Sequence, residues 1–114
     1  MHKELLIDNL KVVICKDREE LGAAAAADAA EYLRALAKER EEINTIFAAA
    51  PSQNEFLAGL SAAGGIPWQK VRAFHMDEYI GLAPDAPQRF ACYLREHIFS
   101  RVPFLEVNYL ICEK

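Results

Sequence analysis

Two consecutive acids, Asp77 and Glu78, directly follow a short apolar run that ends at Met76. A run of this length predicts a strand, and carboxyl groups at the end of a buried strand lose hydration and repel each other. Both effects raise a carboxyl pKa toward the range in which it can accept a proton. Asp77 is nearer the strand and is therefore the candidate general base. An aspartate that closes a strand is also a common turn residue, so a purely structural role stays open.

A second junction follows the apolar run 46–50, where the chain continues as Pro51-Ser52-Gln53-Asn54. The Ser52 hydroxyl, the neighbouring side-chain amides and the free backbone amides of a helix start can cradle a phosphate. The alternative is that Ser52 only caps its own helix, because Glu55 follows at the spacing of a capping box. If these two strands are neighbours in a parallel sheet, the two junctions face one cleft.

Glu55 would repel a phosphate dianion, so an anion site here requires a compensating cation. The local candidates are Lys70, Arg72 and Arg89, which are equally open to being solvated surface charges. His75 and Asp77 lie on one side of the predicted strand, but two potential ligands do not define a metal site. No motif for a covalent nucleophile or a nucleotide phosphate loop is present in the sequence.

Composition narrows the class of protein. The 114 residues are 53% hydrophobic and carry a formal net charge of −4, which is typical of a folded globular domain and disfavours a nucleic-acid partner. The alanine-rich segment 21–37 is interrupted by charges, so we expect no membrane segment. The apolar run near the N-terminus is also broken by charge, and the odd number of widely spaced cysteines fits a reducing compartment. We therefore expect a cytoplasmic protein.

Apolar runs alternate with helical stretches along the chain. The strands are predicted within 11–16, 44–50, 71–76 and 108–112, and their near-continuous apolarity indicates a parallel sheet covered on both faces. The helices are predicted from Asp17 to about Glu42, from Ser52 to the Gly64-Gly65 pair, and from Gln88 to Phe99. We interpret the chain as a single α/β domain, residues 1–114, with a Rossmann-like three-layer sandwich and a mostly parallel sheet. Four strands make a thin sheet, so we expect the domain to be incomplete.

The segment Phe74–Leu82 reads FHMDEYIGL, and it closely resembles the glucosamine-6-phosphate deaminase (isomerase) family, in which M-D-E-Y-x-G-L follows a central strand. The resemblance extends from about Val12 to the end of the chain and covers the N-terminal portion of that family. The related 6-phosphogluconolactonases share the fold but resemble D-E-R at this position, so Tyr79 favours the amino-sugar branch.

The resemblance implies an aldose–ketose isomerising deaminase, which converts glucosamine 6-phosphate to fructose 6-phosphate and ammonia without a metal or organic cofactor. Asp77 would be the base, and Glu78 the second catalytic residue. Ser52, Gln53 and Tyr79 would bind the substrate. The family's later acid–base groups are not in these 114 residues, so we expect an inactive fragment that can form a homo-oligomer. The alternatives are a non-catalytic module that binds a phosphosugar or a partner, and a lactonase-like hydrolase.

Overall fold

The computed structural model describes residues 2–110. Its strands are β1 (His2–Ile7), β2 (Leu10–Cys15), β3 (Ile43–Phe47), β4 (Val71–His75) and β5 (Glu106–Asn108). Its helices are α1 (Arg18–Glu39), α2 (Asn54–Ala62) and α3 (Phe90–Leu94), and α3 continues as a π-helical turn over Arg95–Phe99. Short 3-10 turns cover Pro51–Gln53 and Trp68–Lys70.

The parallel sheet contains β3, β4 and β5 in that order, with β4 in the centre. The chain crosses from β3 to β4 through α2 and from β4 to β5 through α3, so each connection is a strand–helix–strand unit. This arrangement confirms the predicted α/β class with a small, incomplete parallel sheet. The third strand of the sheet begins two residues earlier than expected, and the predicted strand residues 111 and 112 lie outside the described part of the chain.

The expectation that segment 11–16 joins the parallel sheet is wrong. β2 instead pairs antiparallel with β1 in a separate two-stranded sheet, from His2 opposite Cys15 to Ile7 opposite Leu10. Only two residues connect the strands, and Asp8 adopts a left-handed conformation (φ 54°) in that turn. Closing so short a loop costs little conformational entropy, so the apolar residues before the turn provide a nearer partner than the distant β3.

One buried cluster lies between the sheet and the helices. The side chains of β3 and β4 point alternately to the two faces of the sheet. Ile43, Phe47, Val71 and Ala73 face this cluster, whereas Ile46 is 68% exposed. Leucines and small residues from α1 and α2 pack into the same cluster as Leu94, Ile98 and Phe99 from the last helix. Among the described residues, the helical cover therefore lies on one face of the sheet. The incompleteness expected from the sequence is visible here as a missing second helical layer.

Helix α1 begins as predicted. The Asp17 carboxylate caps it by accepting a hydrogen bond from the backbone amide of Glu20 at 2.8 Å. The helix ends at Glu39 rather than at Glu42, because Arg40 is already extended (φ −131°). Glu42 forms an ion pair with Arg72 beyond the helix. The predicted polar and apolar faces of α1 are confirmed, since Ala26 and Leu33 are buried while Asp28 and Glu31 are exposed.

In the described part of the chain, no helix combines the length and apolar character needed to cross a membrane. Residues 2–110 likewise bring no three or more His, Cys, Asp or Glu side chains together in a way that could hold a metal ion. Cys15 and Cys92 are free thiols.

Helices α1 and α2 approach each other closely at Gly22. A Cβ atom built on Gly22 would lie 2.4 Å from the Glu55 Cβ and 2.9 Å from the Glu55 backbone carbon. Contacts this short cannot be accommodated without moving one helix relative to the other. The absence of a side chain at Gly22 therefore sets the distance between the two helices.

We expect Gly22→Ala to lower the free energy of unfolding by about 1–2 kcal/mol, because the clash outweighs the gain of roughly 1 kcal/mol in helix propensity. Urea denaturation measures the change. Gly64→Ala is the matched control, since a Cβ there meets no atom within 4 Å. Equal stability of Gly22→Ala and the wild type would contradict the close packing of α1 on α2.

Candidate functional site

The two candidate junctions lie side by side at one edge of the sheet. β3 and β4 are parallel neighbours, with Phe47 opposite His75. The backbone amide of Met76 donates to the carbonyl of Phe47 at 3.1 Å, so the pairing continues to the point where both strands end. The condition on which the single-cleft prediction depended, that these two strands are neighbours, is therefore met.

The His75 ring binds the backbone that follows β4 and the backbone that follows β5. Its side chain is 5% exposed, with Nδ1 2.9 Å from the carbonyl oxygen of Asp77. Its Nε2 accepts a hydrogen bond from the backbone amide of Leu110 at 3.0 Å. Because an amide can only donate, Nε2 carries no proton, and Nδ1 is the donor to Asp77. His75 is thus a neutral structural residue with both ring nitrogens occupied.

Asp77 is exposed, and it is fixed through its backbone rather than its carboxylate. The His75 ring holds its carbonyl group, while the side chain forms no hydrogen bond or ion pair with any other described residue. An exposed carboxylate on a fixed backbone is available to a molecule that approaches this edge of the sheet. The structure thus places Asp77 at the strand end with its side chain open to solvent, so the expectation that this carboxyl group loses its hydration is wrong.

Glu78 is the opposite case, because its side chain is completely buried. Its carboxylate accepts hydrogen bonds from the backbone amides of Phe90 (2.8 Å), Ala91 (3.0 Å) and Tyr79 (3.0 Å). The Nε atom of Arg89 lies 3.4 Å from Glu78 Oε2. Glu78 therefore caps the N-terminus of α3 through the free amides of Phe90 and Ala91, and it also binds the Tyr79 amide of its own loop.

The expectation that burial and repulsion raise the carboxyl pKa is wrong for Glu78. Burial does raise its pKa, but the three amide hydrogen bonds and the Arg89 guanidinium together outweigh burial and hold the pKa below its ordinary value. Glu78 is consequently an anion that stabilises α3, and its carboxylate is already bound by backbone amides and by Arg89. Sequence reasoning missed this because Phe90 and Ala91 lie 12 and 13 residues away along the chain.

Tyr79 lies against α3. Its ring centroid is 4.8 Å from that of Phe90, and its side chain remains 48% exposed. The ring thus forms an exposed aromatic surface next to Asp77, in a position to contact a bound molecule at this edge.

The loop after β3 differs from the capping box that the sequence predicted. The 3-10 turn Pro51–Gln53 precedes α2, whose first residue is Asn54, and no side chain caps the helix. Ser52 is exposed, and its hydroxyl makes no hydrogen bond with another described residue. The purely structural alternative for Ser52, that it caps its own helix, is therefore wrong. Gln53 is half-buried in the same loop.

The cation that compensates Glu55 is Arg18, at the start of α1. Its Nε and Nη2 atoms donate to the two carboxylate oxygens of Glu55, both at 2.9 Å, and Nη2 also donates to the carbonyl of Pro51 at 2.8 Å. This pair lowers the pKa of Glu55 and raises that of Arg18. The sequence analysis did not consider Arg18, because 37 residues separate it from Glu55.

The three cations proposed from the sequence bind elsewhere. Lys70 donates to the carbonyl of Ala37, Arg72 pairs with Glu42 and Glu106, and Arg89 lies beside Glu78. Each is used to join elements of the fold. The prediction that one of these three cations compensates the charge of Glu55 is therefore wrong.

A cleft of about 470 Å³ lies between α1, α2 and the loop after β3. It is lined by Arg18, Leu21, Gly22, Ala25, Ser52, Gln53, Glu55 and Phe56. The cleft thus combines two predicted substrate-binding residues with an ion pair and an apolar wall. Asp77 is not among the residues that line it, so this cleft does not confirm the prediction that the two junctions face one cleft.

The resemblance to glucosamine-6-phosphate deaminases is confirmed by sequence comparison. The chain is 31% identical over 94 residues to glucosamine-6-phosphate deaminase 2 of Bacillus subtilis, across 82% of this chain and 37% of that protein. It is 28% identical over 99 residues to glucosamine-6-phosphate deaminase of Rhodopirellula baltica, across 86% of this chain and 39% of that protein. The chain thus spans about two fifths of the length of these curated relatives. No protein-family model matches it.

Solved structures show the same fold. A monomeric glucosamine-6-phosphate deaminase superimposes with a TM-score of 0.68 at 20% identity, over 83% of this chain and 40% of that one. A 6-phosphogluconolactonase from Shewanella baltica superimposes with a TM-score of 0.73 at 19% identity, over 84% and 41%. At these identities the agreement establishes the Rossmann-like fold that the sequence predicted.

Ala50 adopts a backbone conformation (φ 127°, ψ 159°) that is essentially restricted to glycine. We expect Ala50→Gly to raise the free energy of unfolding by about 1 kcal/mol, because strain of roughly 1–3 kcal/mol is relieved while the unfolded chain gains less entropy. Thermal or urea unfolding measures the gain. Ala48→Gly, two residues earlier in the same loop, is the control and is expected to destabilise by about 0.5–1 kcal/mol. Parallel losses in both variants would show that Ala50 is unstrained.

We expect Glu78→Gln to destabilise the protein by about 2 kcal/mol at neutral pH, because the charged acceptor of three amides is lost. The lowered pKa of Glu78 means that its contribution is full above its ordinary pKa of 4.5 and is lost as the pH falls below that value. Urea unfolding at about pH 7 and about pH 3 should therefore show a smaller difference between the variant and the wild type at acid pH. Glu31→Gln, on the exposed face of α1, is the control. A difference that is the same at both pH values would refute the lowered pKa.

Proposed function

We propose that this chain, which is similar to glucosamine-6-phosphate deaminases over more than four fifths of its length, forms the phosphate-binding and base-bearing part of an amino-sugar-phosphate site. The observation that carries the proposal is the segment 76–82, MDEYIGL, at the carboxyl end of the central strand β4. In open parallel sheets this edge is where ligands bind. The neighbouring loop after β3 supports the proposal by offering an exposed Ser52 and a half-buried Gln53.

Asp77 is the proposed general base. In the ring-opened sugar, the hydrogen on C2 is acidified by the C1 carbonyl, and the Asp77 carboxylate accepts that proton. The electron pair of the C–H bond forms a C1–C2 double bond while the π pair of the C1 carbonyl moves to O1, which takes a proton from solvent, and the product is an enediol-like enolamine. The C1–C2 π pair then takes the proton at C1 while the nitrogen lone pair forms the imine at C2, and water hydrolyses this imine to the ketone with release of ammonia. Proton transfer of this kind needs a positioned carboxylate.

We assign Ser52, Gln53 and Tyr79 to substrate binding. The free Ser52 hydroxyl and the Gln53 side chain can donate hydrogen bonds to a phosphate, and the exposed Tyr79 ring offers an apolar surface to the sugar. Glu78 is reassigned, because its carboxylate is surrounded by backbone amides. It supports the reaction by fixing the loop between β4 and α3, so it is a positioning residue.

Two alternatives follow from specific observations. Structures named 6-phosphogluconolactonase superimpose as well as the deaminase, which supports a lactonase-like hydrolase. The cleft that Ser52 and Gln53 line does not include Asp77, which supports a non-catalytic module that binds a phosphosugar or a partner. Tyr79 and the curated relatives favour the amino sugar. A cytoplasmic location and a homo-oligomer remain predictions.

The base assignment is tested by exchange of the C2 hydrogen of glucosamine 6-phosphate for deuterium in D2O, followed by proton NMR. We expect the 114-residue chain to accelerate this exchange, which needs only the base, and to release negligible ammonia, because the later acid–base groups that the resemblance implies for the complete reaction are not in these residues. Asp77→Asn should abolish the exchange while glucosamine 6-phosphate still binds. Asp85→Asn, an exposed acid in the following loop, is the control and should exchange like the wild type. Exchange that survives in Asp77→Asn, or a wild type that does not exchange, would refute Asp77 as the base.

Binding separates the candidate ligands. Calorimetric titration with glucosamine 6-phosphate, glucosamine and 6-phosphogluconate should give binding of the first and none of the second. Tighter binding of 6-phosphogluconate would favour the lactonase-like reading. Failure of both phosphorylated compounds to bind would refute the phosphosugar site.

A further inference from the structure

We propose that Arg18 binds the phosphate group of the substrate, and that the Glu55 carboxylate competes with this phosphate for the Arg18 guanidinium group. The inference rests on the proposed function, because it takes a sugar phosphate as the ligand of the loop at Ser52 and Gln53. It adds a specificity-determining ion pair that the MDEYIGL segment and the loop do not themselves contain.

The position of Arg18 makes it part of the cleft. Its guanidinium group lies against the loop, with Nη2 2.8 Å from the carbonyl oxygen of Pro51, the residue before Ser52. Arg18, Ser52 and Gln53 line one cleft of about 470 Å³, a volume within the range of small-molecule sites. A phosphate held by the loop would therefore lie beside the guanidinium group.

Arg18 keeps donors available while it is paired with Glu55. A guanidinium group has five N–H donors, and the described contacts use those of Nε and Nη2. Nη1 donates no hydrogen bond to any of the residues that the structure describes. Its two N–H groups can donate hydrogen bonds to a phosphate oxygen, and the planar geometry of the guanidinium group suits phosphate.

The pair between Arg18 and Glu55 is one that an anion can displace. The Arg18 side chain is 59% exposed and the Glu55 side chain 30% exposed, so water can solvate either charge once the pair separates. Solvent-exposed ion pairs contribute little to stability. A phosphate monoester carries nearly twice the charge of a carboxylate at neutral pH, so it competes effectively for the same guanidinium group.

No other cation of the described residues lines this cleft. The cations nearest in sequence to the two junctions join other parts of the fold, as their contacts with Ala37, Glu42 and Glu78 show. If the cleft takes a dianion, the compensating charge is therefore Arg18.

The proposal gives opposite outcomes for the two members of the pair. A purely structural ion pair predicts that the loss of either residue disturbs the loop and weakens ligand binding in the same direction. Competition predicts that the loss of Arg18 weakens phosphate binding, while the loss of the Glu55 charge strengthens it. The direction of the Glu55 effect is thus the readout that separates the two roles.

The test is isothermal titration of the 114-residue chain with glucosamine 6-phosphate, and with inorganic phosphate as a smaller probe. Arg18→Gln should weaken binding by about tenfold or more, which is the value of a hydrogen-bonded charge. Glu55→Gln should tighten binding by about threefold to fivefold, the upper range for an exposed ion pair. Arg18→Lys keeps the positive charge but lacks the planar set of guanidinium donors, so its affinity should lie between that of the wild type and that of Arg18→Gln.

Arg40→Gln and Glu39→Gln are matched controls, because they make the same charge changes at the opposite end of α1, more than 20 residues from Arg18. Both should bind like the wild type. Glu55→Gln binding that is unchanged or weaker would overturn the competitor role, and unchanged binding in Arg18→Gln would overturn the role of the cation. Thermal unfolding of each variant shows whether it is folded.

Failure of this inference is distinguishable from failure of the proposed function. If the wild type binds neither glucosamine 6-phosphate nor inorganic phosphate, the phosphate site itself is refuted. If the wild type binds glucosamine 6-phosphate and the Arg18 and Glu55 variants bind it equally well, only the role of this ion pair is refuted.

Discussion

The parallel pairing of β3 with β4 is the constraint on which the site depends. Its register sets Phe47 opposite His75, and the hydrogen bond from the Met76 amide to Phe47 extends the pairing to the ends of both strands. A shift of one residue would turn Val71 and Ala73 out of the core, so burial fixes this register strongly. The loop after β3 and the acids after β4 are adjacent because the two strands pair in this register.

Two consecutive acids acquire different roles from the way each is held. Asp77 is fixed by its carbonyl group, through the neutral ring of His75, and its carboxylate stays in solvent. Glu78 is fixed by its carboxylate, which satisfies the first amides of α3 and leaves no oxygen for a ligand. Of the two acids, only the first is therefore free to meet a ligand at this edge. The second acid orders the chain that follows it.

Sequence reasoning succeeded where the determining contacts are local. The Asp17 cap of α1, the strand before Asp77 and the strand–helix alternation all depend on residues a few positions apart. It failed where the partner is distant or competes with a nearer one: segment 11–16 pairs with β1, and Arg18 pairs with Glu55 across 37 residues. Ser52 followed by Glu55 satisfies the capping pattern, yet Glu55 gains more from a guanidinium group than from a helix amide.

The electrostatics of the cleft are a consequence of helix packing. Gly22 has no side chain, and this lets the backbone of α2 at Glu55 approach α1 so closely that Arg18, one turn earlier on α1, reaches its carboxylate with Nε and Nη2 of the guanidinium group. A larger residue at position 22 would separate the helices and leave a carboxylate facing the loop without its counter-ion. A chain with the same loop but without this glycine would then present a net negative cleft, which repels a phosphate. If the cleft binds a phosphate as proposed, Gly22 thus influences the charge that the ligand meets, because it sets the distance between the two helices.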